Sequence, residues 1–165
     1  MHTRKSLAAV CSAALFLMAS VLPASAQVAP VGPTEFQAAP GPCDPNGSIP
    51  AGYNVIIGTN GPDVLIGTAG KDFIKGLGGD DLIFGGEGDD IICGGDGNDT
   101  IYGGSGRDRI WGGNGDDQLY GEAGNDDLFG DSGNDQLDGG SHTTKDFCWG
   151  GLGADGFAAC ETVLP

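Results

Sequence analysis

The chain has 165 residues, 33 of them glycine, and a formal net charge of −16. Its length suits one domain, and its glycine content stands far above the roughly 7% of average usage. The acidity argues against nucleic acid, whose phosphates call for a basic partner surface, and fits metal cations or plain solubility.

Residues 1–26 read as an export signal. "MHTRKS" is a short basic start, "LAAVCSAALFLMASVL" is an apolar run, and "ASA" ending at Ala26 is a small-residue cleavage site. The apolar run is shorter than the roughly 20 residues a membrane span needs, so no span is expected in the mature chain. Cys11 lies inside this run, not after it, which disfavours a lipid-modified cysteine. With Arg4 and Lys5 removed, five basic groups face twenty-three acidic ones, a balance of −18. The mature protein is expected to be secreted.

Residues 27–52 are rich in Pro, Ala and Gly and read as a lead-in with no helical period. Four cysteines remain after the signal: Cys43, Cys93, Cys148 and Cys160. An even number in an exported chain points to disulfides. Three pairings are possible, and Cys43–Cys93 with Cys148–Cys160 is favoured because each pair would tie down one end of what lies between. A zinc site would need close clustering such as C-x2-C, and the sequence has none.

Residues 53–138 form the body. "YNVII" at Tyr53–Ile57 suggests a first strand, and from Gly58 to Asp138 the chain divides into nine units of nine residues without a gap. The first and fourth places are always glycine. The sixth is always aspartate: Asp63, Asp72, Asp81, Asp90, Asp99, Asp108, Asp117, Asp126 and Asp135. The eighth is always Ile or Leu, from Leu65 to Leu137. Disorder, the usual fate of glycine-rich acidic sequence, does not require an aliphatic residue at one phase. Collagen needs glycine at every third position, and the seventh place is never glycine. A phosphate-binding loop is a poor fit because no lysine follows the glycines and the acids would repel phosphate.

Each unit divides into a six-residue turn and a three-residue strand. Strand side chains alternate, so the eighth places form one buried stripe. Glycines allow turn conformations other residues adopt only with strain, and such turns can aim carbonyl oxygens at one point. Carbonyls with one or two carboxylates are hard oxygen ligands in a flexible cage, which suits Ca2+ better than Mg2+. Softer metals would call for Cys or His, and His142 is the single mature histidine.

The unit matches G-G-x-G-x-D-x-U-x and so resembles the nonapeptide of RTX, or hemolysin-type, calcium-binding repeat proteins. The resemblance runs continuously over residues 58–138 and less regularly to Cys160. It implies an all-β, right-handed parallel β-roll with two units per 18-residue coil, and calcium between successive turns on one side. Carried over, Asp63, Asp81, Asp99, Asp117 and Asp135 line one edge, and Asp72, Asp90, Asp108 and Asp126 the other. Asp155 extends the set in "GGLGADGFA" at Gly150–Ala158. Neighbouring aspartate pairs number roughly seven, and their ions would nearly offset the acidity. Without metal the chain is expected to be disordered or loosely collapsed, because ordering costs so much entropy against so few buried side chains.

Some units depart from this pattern. The second glycine is replaced by Thr59, Thr68 and Leu77 in units one to three, and by Glu122 and Asp131 in units eight and nine; these are expected to bind more weakly. Arg107 and Arg109 flank Asp108 and are expected to weaken that turn. Residues 139–165 hold irregular repeats and a disulfide-tied C-terminal cap, and "GGSHTTKDFCW", with two extra residues, is expected to lack a standard site. The ninth places set Phe84, Tyr102 and Tyr120 on one face, and Cys93, Trp111 and Phe129 on the other. Cross-strand pairing explains them more simply than a contact strip. "NDT" at Asn98–Thr100 matches a glycosylation pattern but sits within a turn, which reads as coincidence. The leading function is a secreted calcium-binding structural or interaction module, and the alternative is an adhesin contacting a cell-surface or matrix glycan or protein. An RTX remnant of an extracellular enzyme is disfavoured, since neither H-E-x-x-H nor G-x-S-x-G occurs.

Overall fold

The computed structural model describes Cys43 and residues 49–142 and 145–164. The export signal and most of the lead-in therefore lie outside the described residues. Within them every regular element is a strand, and no helix is long and apolar enough to cross a membrane.

Fourteen strands follow one another. They are β1 (Asn54–Ile57), β2 (Val64–Ile66), β3 (Asp72–Gly78), β4 (Leu82–Glu87), β5 (Ile91–Asp96), β6 (Thr100–Gly106) and β7 (Arg109–Asn114). Then come β8 (Gln118–Gly124), β9 (Asp127–Ser132), β10 (Gln136–Asp138), β11 (Ser141–His142), β12 (Phe147–Trp149), β13 (Gly156–Ala158) and β14 (Thr162–Leu164). Strands alternate between two parallel sheets. One has the order β1-β3-β5-β7-β9-β12-β14 and the other β13-β10-β8-β6-β4-β2, with β11 also paired to β8. Parallel strands next to one another in space but not in sequence make a solenoid of about six turns.

The register is set by the repeat. Ile74 pairs with Ile92, Ile92 with Ile110, and Ile110 with Leu128 in the first sheet. Leu65, Ile83, Ile101 and Leu119 do the same in the second. Each step is 18 residues. A slip of one residue would turn every side chain to the other face, so the eighth-place column holds the register. That column is the core: Ile74, Ile83, Ile92, Ile101, Ile110, Leu119, Leu128, Leu137 and Cys148 pack together, flanked by Ile56, Leu65, Phe157 and Cys160.

The strands run longer than the three residues the sequence suggests. β6 continues from Thr100 through the first four residues of the next unit to Gly106, with Gly104 paired to Glu122 and Ser105 to Ala123. Glycine alone has poor strand preference. Here an identical stretch 18 residues on supplies a ladder partner, so only a tight corner around the aspartate is left as turn.

Both disulfides have the favoured pairing: Cys43–Cys93, with Cα atoms 5.6 Å apart, and Cys148–Cys160, at 5.9 Å. Cys148 fills the eighth place of the tenth unit and closes the core column. The ninth-place aromatics stack as ladders. Phe84, Tyr102 and Tyr120 follow one another at 5.2 and 4.8 Å with nearly parallel rings, and Trp111 lies 5.1 Å from Phe129 on the other sheet.

Candidate metal centre

From Asp81 onward, each aspartate at the sixth place is fixed by the coil before it. The backbone N–H of Asp81 donates to Asp99 Oδ1, that of Asp99 to Asp117 Oδ1, and that of Asp108 to Asp126 Oδ1, at 2.8–2.9 Å. The same bond recurs along both edges, from Asp63 to Asp81 and from Asp72 to Asp90 onward. These bonds turn the carboxylates inward: Asp81, Asp90, Asp99, Asp108, Asp117, Asp126 and Asp135 are all buried, as is Asp72, whose carboxylate lacks this bond.

The second oxygen of each carboxylate has a different fate. Oδ2 of Asp81, Asp90, Asp99, Asp108, Asp117, Asp126 and Asp135 is buried with no hydrogen-bond partner. A buried polar atom left unpaired costs free energy, and seven in a row along one architecture call for a compensating group. The glycine at the first place shows where that group would sit. A Cβ on Gly121 would lie 2.6 Å from Asp126 Oδ2 and 2.7 Å from Gly139 O, one coil on. On Gly103 it would lie 2.6 Å from Asp108 Oδ2 and 2.9 Å from Gly121 O. One carboxylate oxygen and one carbonyl oxygen of the following coil thus converge on the same small space at each turn. The invariant first glycine keeps that space free of a side chain.

Electrostatics agree. Burial pushes the carboxyls of Asp108, Asp117 and Asp126 up to about 7, against opposing hydrogen bonds from the backbone and with added repulsion from neighbouring aspartates. Asp90 and Asp99 rise to about 6 for the same reasons. Asp81 and Asp135 shift upward as well, chiefly by burial. No group of three or more His, Cys, Asp or Glu side chains suited to a metal occurs among the described residues. Carboxylates enter each gap singly, so further ligands would have to be backbone carbonyls, which are hard oxygens suited to calcium.

A model of the RTX calcium-binding nonapeptide repeat matches this chain in four copies, over residues 57–92, 94–128, 111–143 and 120–157. The chain belongs to that family. RTX repeats bind calcium and are structural, not catalytic in themselves. No curated protein matches the chain.

The tenth RTX unit keeps an aspartate in the column. Its two extra residues fall before the aspartate, and Asp146 takes the sixth place. Asp146 is buried, its Oδ1 accepts from the Asp126 N–H at 2.8 Å, and its Oδ2 would lie 2.6 Å from a Cβ on Gly139. The pairing step lengthens from 18 residues at Ala123 and Ser141 to 20 at Leu128 and Cys148. "KDFCW" at Lys145–Trp149 still carries the x-D-x-U-x phase, and that signal could have revealed Asp146. Asp155 accepts from the Asp135 N–H at 3.1 Å but is only half-buried.

Arg107 and Arg109 do not reach Asp108. Arg107 Nη2 lies 2.8 Å and Arg109 Nε 3.6 Å from Asp127 Oδ2, and both side chains point to the outer flank because odd places face away from the core. The fifth place, which the consensus leaves open, forms a second ladder. Asp80 Oδ1 accepts from the Asn98 N–H, Asn98 Oδ1 from Asp116, and Asp116 Oδ1 from Asn134, at 2.8–2.9 Å. Asn98 of the "NDT" pattern is thus one rung of that ladder.

Proposed function

We propose that this chain is a secreted calcium-dependent β-roll, in which cations between coils complete the fold and the folded roll serves as a structural or interaction module. The observation that carries this is the set of seven buried, unpartnered Asp Oδ2 atoms, each beside a glycine carbonyl of the next coil. The residues that would hold the ions are Asp81, Asp90, Asp99, Asp108, Asp117, Asp126 and Asp135, with carbonyls such as Gly112 O, Gly121 O and Gly130 O. A bound divalent cation supplies the positive charge that these desolvated carboxylates otherwise lack. The protein's own part is to bury and orient the carboxylates through the inter-coil hydrogen bonds, and to keep each gap clear through the first glycine. On this reading the gaps run from Asp81 to Asp135, and Asp146 and Asp155 stand one coil beyond the last of them on each edge.

Secretion is supported by two disulfides, which persist in oxidising compartments. The module reading is favoured over the adhesin by the aromatic ladders. A sugar ring stacks on an aromatic face, and the faces of Tyr102 are taken up by Phe84 and Tyr120.

Calorimetric titration of the chain from Gln27 with calcium, followed by circular dichroism, tests the proposal. The expected result is uptake of about seven ions at sub-millimolar to millimolar levels, with a gain of β structure. Identical spectra in calcium and in chelator, with no heat of binding, would overturn it.

A further inference from the structure

We infer that Thr59 and Thr68 close the first two inter-coil gaps to metal, so that the roll begins with a coil that holds no cation. This rests on the reading of the later gaps as cation sites.

The evidence is a substitution of partners at one atom. In the first unit, the Thr59 N–H and hydroxyl donate to Asp63 Oδ2 at 2.6 and 2.9 Å. In the second, the Thr68 N–H and hydroxyl donate to Asp72 Oδ2 at the same two distances. This is the oxygen that has no partner in Asp81 and the six aspartates after it. The bare atom of Asp72 is instead Oδ1, the one that would face an aspartate backbone had Asn54 been part of a full unit.

Each threonine is itself held. Gly61 N–H donates to Thr59 Oγ1 and Gly70 N–H to Thr68 Oγ1, both at 3.2 Å. Asn54 Nδ2 adds a bond to Thr68 Oγ1 at 3.1 Å. With their acceptor sides so occupied, the hydroxyls turn their protons to the carboxylates; for Thr59 the competing acceptor, Gly61 O, is farther, at 3.3 Å against 2.9 Å. Two protons aimed at one oxygen do for it electrostatically what a cation would do, and a cation approaching that oxygen would meet them first.

The two closed gaps differ in one respect. Second-place glycines are oriented so that a Cβ would meet the second-place carbonyl of the coil before, as at Gly104 with Gly86 O and Gly113 with Gly95 O. Leu77, at the second place of the third unit, keeps a left-handed backbone with φ 83°, and its side chain is largely exposed. In both gaps it is therefore the threonine that meets the carboxylate.

Calorimetric counting of calcium on the chain from Gln27 and its variants tests this. Thr68→Gly restores the consensus glycine and should raise the ion count by one. Thr68→Ser keeps the hydroxyl and should leave the count at the wild-type value. Thr59→Gly should likewise raise the count by one. In the calcium-saturated wild type, the Thr59 and Thr68 hydroxyl protons should appear in NMR spectra as slowly exchanging signals. An unchanged count in Thr68→Gly, or hydroxyl protons in fast exchange with water, would overturn the inference and leave the proposed function standing. A wild-type chain that takes up no calcium would overturn the proposed function instead, and the hydroxyl signals would then decide the threonine closure alone.

Discussion

The first coil and the interior coils share one repeat, one register and one sixth-place aspartate per turn, yet they compensate that aspartate by different means. In the first coil Thr59 and Thr68 supply an N–H and a hydroxyl to Oδ2. In the interior the second place holds glycine, or Leu77, Glu122 or Asp131, none of which brings a hydroxyl, and Oδ2 stays unpartnered. One residue type therefore decides whether a carboxylate is satisfied from within the chain or from solution. The fourth glycine differs in parallel. Gly97 sits at φ 134° and Gly106 at 136°, whereas Gly61 and Gly70 stay out of the left-handed region and a Cβ there would meet nothing closer than a threonine hydroxyl at 4.0 Å.

The largest effect should come from changing the charge state of the interior carboxylates. Their folded pKa values are raised, to about 7 for Asp108, Asp117 and Asp126, above an unfolded value of about 3.9. Without calcium, their contribution to stability is full below the unfolded value and is lost as pH rises through about 7. β structure measured by circular dichroism in chelator should therefore be greater at pH 5 than at pH 8. With calcium present the order reverses, because metal binding needs ionised carboxylates. If acid weakens the roll equally with and without calcium, the interior carboxylates are not the seat of metal dependence.

Core truncation should separate the two regions next. Ile101 is completely buried in mid-column, and Ile101→Ala should cost about 2–5 kcal/mol in calcium-loaded denaturant unfolding. Leu65, in the first coil and only partly buried, should cost less. Equal losses would mean that the column does not deepen toward the interior.

A fourth-place pair gives a sharper contrast. Gly97→Ala places a Cβ against Gly79 O and Asp80 N at a left-handed position, which should cost about 1–3 kcal/mol from backbone strain alone. Gly61→Ala enters open space and should be close to neutral. Thermal melts of the two variants would show whether the difference between coils lies in the backbone as well as in the hydrogen bonds.

The smallest effect is expected at Asp131. It occupies a second place at φ 72°, and burial raises its carboxyl to about 6 with Asp135 adding repulsion. Asp131→Gly relieves both, so the chelator-treated protein should gain up to about 1 kcal/mol at neutral pH. A loss of stability would show that Asp131 has a role glycine cannot fill.

Much of this protein was determined by its sequence alone. The nine-residue phase, the aliphatic column from Leu65 to Leu137, the pairing of both disulfides and the parallel β-roll were all legible. In a repeat, each unit meets copies of itself, so local pattern and tertiary contact carry the same information. The tertiary structure decided what depends on residues 18 or 20 positions away. Strands extend through glycines because a matching stretch lies alongside, and Asp146 joins the aspartate column because the pairing step there is 20 residues. Arg107 and Arg109 turn outward to Asp127, away from Asp108. Whether a given Asp Oδ2 is bare or capped follows from the donors that one threonine, folded back across its own turn, brings to it; the spacing of the repeat is the same in both cases.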